Sequence, residues 1–135
     1  MPETVLVVDD EPFILRSLSF VLERAGFVVL QARNGDEALE VLRDARPRVA
    51  ILDVMMPKRS GFEVCEIVKG DPDLRGTYVI LLTAKGQESA RDRGVQAGAD
   101  EYMTKPFSPS RLVERVSEVV NSAARATAAA QGVRA

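Results

Sequence analysis

Val49-Ala50-Ile51-Leu52-Asp53-Val54-Met55-Met56-Pro57 decides how the whole chain is read. Four apolar residues run straight into one carboxylate, and a proline follows four positions later. A run so short and so uniformly apolar predicts a strand buried on both faces, as in a parallel sheet. Asp53 then stands at the carboxyl end of that strand, and that edge of an open α/β sheet is where ligands bind. On its own such an aspartate reads as the first polar residue of a loop or as a cap for the next helix. Its company changes that.

Upstream, Val5-Leu6-Val7-Val8 is a second wholly apolar run, and it ends in Asp9-Asp10-Glu11. Pro12 opens a helix, where its missing N–H does no harm, and Ile14, Leu18, Val21 and Ala25 recur at helical spacing before Gly26. Val28 to Ala32 is a weaker strand interrupted by Gln31, which suits a sheet edge. Asn34-Gly35 turns the chain into a short helix marked by Ala38, Leu42 and Ala45, ending before Pro47. Downstream of the deciding stretch, Ser60 and Glu63 have the spacing of a capping box for a helix carrying Phe62, Val64, Ile67 and Val68. Gly70-Asp71-Pro72 ends it. Val79-Ile80-Leu81-Leu82 is the third wholly apolar run, terminated by Thr83. Residues 87 to 97 are expected to form a fourth helix, weakly anchored by Ala90, Val95 and Ala97 and weakened further by Gly94. Glu101-Tyr102-Met103 predicts a short edge strand leading to Thr104-Lys105-Pro106. Ser108 and Pro109 start a fifth helix with Leu112, Val116, Val119 and Val120 on its apolar stripe. Residues 1–121 are expected to form one domain, and the alanine-rich stretch 122–135 a frayed or disordered tail.

Five strands alternating with five helices predict an α/β fold. The expectation is a five-stranded parallel sheet, order 2-1-3-4-5, doubly wound by helices on both faces as in flavodoxin-like folds. The apolarity of the strands agrees, since strands 1, 3 and 4 are wholly apolar and strands 2 and 5 are mixed.

Composition narrows the function. The 135 residues are 46% hydrophobic and 28% charged, with a net charge of -2, so nothing electrostatic favours nucleic acid or an anionic membrane. No apolar run approaches the roughly 18 residues of a membrane span, and the single cysteine, Cys65, fits a reducing cytoplasm. The absence of histidine excludes histidine-based acid/base triads, histidine metal sites and a phosphohistidine on this chain.

The residues that terminate the strands belong together. Strand 1 ends in Asp9-Asp10, strand 3 in Asp53, strand 4 in Thr83 and strand 5 in Lys105, and the expected order gathers them at one sheet edge. Three carboxylates so close repel one another and call for a positive partner. An oxygen-only cluster suits a hard cation, Mg²⁺ above all. A carboxylate beside Mg²⁺, an ammonium and a hydroxyl makes a phosphoryl-transfer site, with an aspartate able to carry an acyl phosphate.

Five motifs, in order and spacing, carry a resemblance that spans residues 4 to 121. They are Val8-Asp9-Asp10-Glu11, Ile51-Leu52-Asp53-Val54-Met55-Met56-Pro57, Leu82-Thr83-Ala84, Gly98-Ala99-Asp100-Glu101-Tyr102 and Lys105-Pro106-Phe107. The chain resembles the receiver domain of two-component response regulators, of the single-domain chemotaxis-regulator kind. The resemblance implies a signalling switch rather than an enzyme, catalysing only its own phosphorylation and dephosphorylation. It implies that Asp53 accepts a phosphoryl group from a histidine kinase or phosphotransfer protein. Asp10, Asp53 and the backbone carbonyl of Met55 would bind Mg²⁺ directly, and Asp9 through water. Thr83 and Lys105 would contact the phosphoryl oxygens, Thr83 and Tyr102 would act as the switch pair, and a cis bond is usual before Pro106. The fourth helix, fifth strand and fifth helix would form the face that controls a downstream partner or output domain, in a monomer or a weak phosphorylation-dependent dimer. Arg115 resembles part of the charged set through which such receivers dimerise, whereas Arg111 stands where an acidic residue is usual. A pseudo-receiver, a binding module without the chemistry, is the alternative. A haloacid-dehalogenase-type hydrolase fits less well, because Met55 occupies the place of its second aspartate.

Overall fold

The computed structural model describes residues 3–56, 58–84, 93, 95–105 and 108–130, with backbone alone at 84, 105 and 123–130. Its five strands are β1 (Thr4–Val8), β2 (Val28–Ala32), β3 (Val49–Asp53), β4 (Tyr78–Ala84) and β5 (Glu101–Lys105). They form one parallel sheet in the order β2-β1-β3-β4-β5. The order is the expected one. The helix count is not. Among the described residues there are four helices, α1 (Pro12–Arg24), α2 (Gly35–Ala45), α3 (Gly61–Gly70) and α4 (Pro109–Ala130), where the sequence pattern predicted five.

The shortfall lies at residues 87–97. Of these, 93 and 95–96 are helical, Ala97 is in a turn, and 87–92 and 94 lie outside the described residues. The described part explains why the pattern overstated the case. Among the described residues Val95 is 71% exposed, so the largest apolar side chain credited to that helix does not anchor it, and Ala97 is buried. A helix whose largest apolar side chain faces solvent gains little stability from packing.

The strands alternate their side chains between two cores, as their period of two requires. Leu6, Val8, Ala50, Leu52, Val79 and Leu81 face α2 and α3, where Leu39, Leu42, Val64 and Val68 meet them. Val5, Val7, Val49, Ile51, Ile80 and Leu82 face α1 and α4, against Leu18, Leu22, Leu112 and Val116. The three central strands are apolar on both faces because helices cover both. β2 is mixed, with Val28 exposed, because it is an edge.

Local signals set the helix ends. Pro12 begins α1, and Gly26 just past its end takes φ +100°, which a glycine adopts without strain. The Asn34 side-chain Oδ1 accepts from the Glu37 N–H at 2.9 Å, and its Nδ2 donates to the Glu37 carboxylate at 3.0 Å. The Ser60 hydroxyl accepts from the Glu63 N–H at 3.2 Å. At the far end of α3, Lys69 pairs with Asp100 at 2.6 Å and donates to the Thr77 carbonyl at 2.8 Å. Asp100 also accepts from the Val79 N–H at 2.8 Å, so one carboxylate ties α3 to the start of β4 and to the entry of β5. No helix among the described residues is long and apolar enough to cross a membrane.

Cys65 is fully buried on α3, its thiol donating to the Ala97 carbonyl with sulfur and oxygen 3.4 Å apart. Burial pushes the thiol up to about 11. At about pH 8 the thiolate fraction alone should slow alkylation of the native protein by iodoacetamide about a hundredfold relative to the unfolded chain. Mass spectrometry across a urea series checks this, and rapid labelling of the native protein would show that the contact of α3 with Ala97 opens freely.

Candidate functional site

The parallel register builds the site. Val8 of β1 pairs with Leu52 of β3, so the residues that follow, Asp9 and Asp53, emerge side by side at the carboxyl edge of the two central strands. Asp9 is fully buried and Asp53 nearly so, while Asp10 is exposed at the mouth. One carboxylate oxygen from each of the three lies within 4.8 Å of the others. Two of the carboxylates are aimed by the backbone. An Asp9 oxygen accepts from the Glu11 N–H at 2.9 Å, and an Asp53 oxygen accepts from the Met55 N–H at 3.2 Å.

The donor set fits a divalent hard cation. It offers oxygens only, carries three negative charges, and has one open side at Asp10. Oxygens bound to a single Mg²⁺ lie no more than about 4.2 Å apart, and the ion usually keeps several waters. A spread of this size suits such an ion, with a water completing the reach to one carboxylate. Asp9, Asp10 and Asp53 therefore form an acidic pocket of the Mg²⁺-binding type.

β4 and β5 supply the remaining wall. Asp53 is in register with Leu82, which places Thr83 one step beyond it, and Thr83 pairs in turn with Thr104 on β5. Thr83 is buried. The backbone of Lys105 ends β5 opposite Ala84, so the strand delivers this residue to the same edge, while its side chain lies outside the described residues. The Lys105–Pro106 bond lies outside them too. Tyr102 is half-buried and packs against the core on the α2–α3 side. The Met55 side chain is exposed beside the pocket.

Three features of the surroundings escaped the sequence pattern. Gly61 brings α3 against the end of β3, its N–H donating to the Val54 carbonyl at 3.2 Å. The Arg93 guanidinium lies 4.8 Å from the centre of the Phe62 ring. Tyr78, Glu101 and Arg115 form a cluster in which Glu101 accepts from Arg115 at 2.6 Å and from the Tyr78 hydroxyl at 2.9 Å. No periodicity marks any of these, because the first is a backbone contact across a loop and the other two join residues far apart in the chain. A polar residue at the first position of an edge strand, as Glu101 is, was the available hint.

The chain matches the family model for the response regulator receiver domain over residues 5–117. It is 42% identical over 121 residues to the transcriptional regulatory protein ResD of Bacillus subtilis, covering 90% of this chain and 49% of that one. Against the phosphate regulon transcriptional regulatory protein PhoB of Escherichia coli it is 41% identical over 120 residues, covering 89% and 52%. The chain thus spans about half the length of these curated relatives. Among solved structures it is similar to the chemotaxis response regulator CheY4 of Vibrio cholerae, with a TM-score of 0.82, 34% identity, and 88% and 99% coverage. A buried acidic pocket at the switch point of a 2-1-3-4-5 sheet and a family match over most of its length lead to one conclusion. The chain belongs to the response regulator receiver domain family, and is a phosphorylation-activated aspartate switch with an acidic pocket of the Mg²⁺-binding type.

Proposed function

We propose that Asp53 is the phosphoryl acceptor and that a sensor histidine kinase or phosphotransfer protein is the donor, in a cytoplasmic signalling pathway. The observation that carries this is the placing of Asp53, buried at the end of a central strand and within 4.8 Å of two further carboxylates. The Asp53 carboxylate attacks phosphorus, an oxygen–phosphorus bond forms, and the bond from phosphorus to the donor's nitrogen or oxygen breaks. Asp10, Asp53 and the Met55 carbonyl would hold Mg²⁺ directly and Asp9 through water, and the ion would offset the charge on the transferring oxygens. Thr83 would donate a hydrogen bond to a phosphoryl oxygen, and Lys105 would supply a fixed positive charge. The Met55 N–H, already directed at the acceptor carboxylate, keeps the second Asp53 oxygen oriented while the first reacts.

Asp10→Ala should lose labelling by acetyl phosphate and also lose the rise in melting temperature that Mg²⁺ produces by binding the native state. At Mg²⁺ a hundredfold above its dissociation constant that rise corresponds to about 2.7 kcal/mol in the unchanged protein. An undiminished Mg²⁺ response in the variant would move the ion away from this pocket.

The phosphoryl signal would be read on the surface made by β5 and the first turns of α4. Phosphorylation adds about 1.5 to 2 negative charges at Asp53. Thr83 would follow the new oxygens by hydrogen bonding, and Tyr102, on the neighbouring strand, would turn inward as Thr83 moves. The output would be a downstream protein or a further domain of a longer protein, reached by a monomer or a weak phosphorylation-dependent dimer, with residues 122–135 outside the domain proper. Hydrogen exchange with and without beryllofluoride should therefore change most at residues 83 and 101–115. Changes confined to α1 and residues 55–60 would place the readout beside the acidic pocket instead.

A further inference from the structure

The loop that leaves the acceptor strand is tied to the site at both ends. At its start the Met55 N–H donates to the Asp53 carboxylate at 3.2 Å, and at its end the Gly61 N–H donates to the Val54 carbonyl at 3.2 Å. Between these ties Lys58 and Arg59 are exposed, and Lys58 takes φ +73°, a left-handed conformation that a side chain disfavours. Backbone of that kind persists where its surroundings over-determine it.

The first turn of α2 lies against the loop. Gly35 is buried there, and a Cβ on it would lie 2.4 Å from the Arg59 carbonyl oxygen and 2.5 Å from the Arg59 Cβ. Its φ is not positive, so close approach alone demands the glycine, at a helical position where propensity favours alanine. The next residue, Asp36, accepts from the Arg59 Nε at 2.9 Å. An exposed pair of this kind adds little stability, but it orients the residue it holds. The helix itself is well anchored. Asn34 and Glu37 exchange two hydrogen bonds at its start, and Ala38, Leu39 and Leu42 are in the core. Of the two partners, α2 is the fixed one and the loop is the one it shapes.

We propose, taking Asp53 as the acceptor, that the first turn of α2 is a template for the loop after β3. Gly35 and Asp36 hold Arg59, and through it they keep Met55 directed at the acceptor carboxylate. Gly35, Asp36 and Arg59 are positioning residues for phosphoryl transfer, acting through the loop rather than on the reacting atoms.

Gly35→Ala tests this. Relieving the contact takes a displacement of about 1 Å, and the exposed loop gives way before the anchored helix. The urea midpoint should stay near that of the unchanged protein, while labelling by acetyl phosphate at saturating Mg²⁺ slows about threefold to tenfold. The Mg²⁺ concentration giving half of the rise in melting temperature should increase by about the same factor. Unchanged labelling overturns the proposal, whether the variant is stable, so that the loop's position does not matter, or destabilised, so that α2 yields instead. Where stability and labelling both fall, the exposed pair decides. Asp36→Arg adds positive charge, which by long-range attraction speeds the approach of an anionic donor. Loss of the tie to Arg59 should instead slow labelling about twofold or more, and Asp36→Arg combined with Arg59→Asp, which restores the pair and the net charge, should recover the rate. An accelerated Asp36→Arg, or an exchange that does not rescue it, also overturns the proposal. Failure of the acceptor reading looks different, because the phosphoryl group in the unchanged protein would then map to a residue other than Asp53.

Discussion

Asp53→Asn is expected to fold and to take up no phosphoryl group from acetyl phosphate at any Mg²⁺ concentration, as intact-mass measurement would show. The amide keeps the shape of the side chain and can still accept from the Met55 N–H, but it cannot form an acyl phosphate. No other carboxylate is a ready substitute. Asp9 is fully buried with one oxygen bound to the Glu11 N–H, and Asp10 is exposed at the mouth. A phosphoryl group found on either of them in the variant would remove Asp53 from its role. The same substitution should stabilise the protein without Mg²⁺. Two unit charges separated by 4.8 Å repel by about 1 to 3.5 kcal/mol for effective dielectric constants of 80 to 20, and the variant removes one of three charges. A gain of about 1–3 kcal/mol at low ionic strength, shrinking as Mg²⁺ is added, is the expected result in urea denaturation. A loss of stability at every Mg²⁺ concentration would mean that the hydrogen bonds of the carboxylate outweigh its repulsion.

The acidic pocket could be read from the chain because each of its members ends a strand. Val5 to Val8 and Val49 to Leu52 are apolar throughout because both faces of those strands are covered, and the first polar residue after such a run has to mark the sheet edge. Strand order followed from the same property, since the mixed composition of β2 and β5 put them at the edges. Strand length did not follow. β5 runs on to Lys105 and β4 starts at Tyr78, because the ladder with a neighbour, and not apolarity, decides where pairing stops. The helix expected over 87–97 rested on Ala90, Val95 and Ala97, and the exposure of Val95 could not be told from its hydrophobicity. The contacts of Asp100 with Lys69 and Val79, and of Arg115 with Glu101 and Tyr78, bring together residues 14 to 37 positions apart. No local pattern encodes them.

Gly61→Ala is expected to destabilise the domain by about 1–3 kcal/mol, where intrinsic helix propensity alone predicts a gain of about 1 kcal/mol. The opposition in sign makes it a sharp test of how α3 meets the site. The sequence marks Ser60-Gly61 only as the entry to a capped helix, and a capped helix normally prefers alanine to glycine in its first turn. The structure puts that turn against the backbone that carries the acceptor. A Cβ at Gly61 would lie 2.5 Å from the Asp53 carbonyl oxygen and 2.9 Å from the Val54 Cα, and neither is the movable end of a side chain. Accommodation requires α3 to retreat or the end of β3 to bend, and the Gly61 N–H bond to the Val54 carbonyl makes retreat costly. Bending displaces Asp53 relative to Asp9 and Asp10, and a misplacement of about 1 Å at a reacting group can slow a reaction about a hundredfold. Acetyl phosphate labelling of Gly61→Ala should therefore slow about tenfold to a hundredfold even in conditions where the variant is fully folded. Unchanged labelling in a destabilised variant would show that α3 yields and β3 holds. Unchanged stability would show that the contact between α3 and the acceptor strand is looser than its geometry implies.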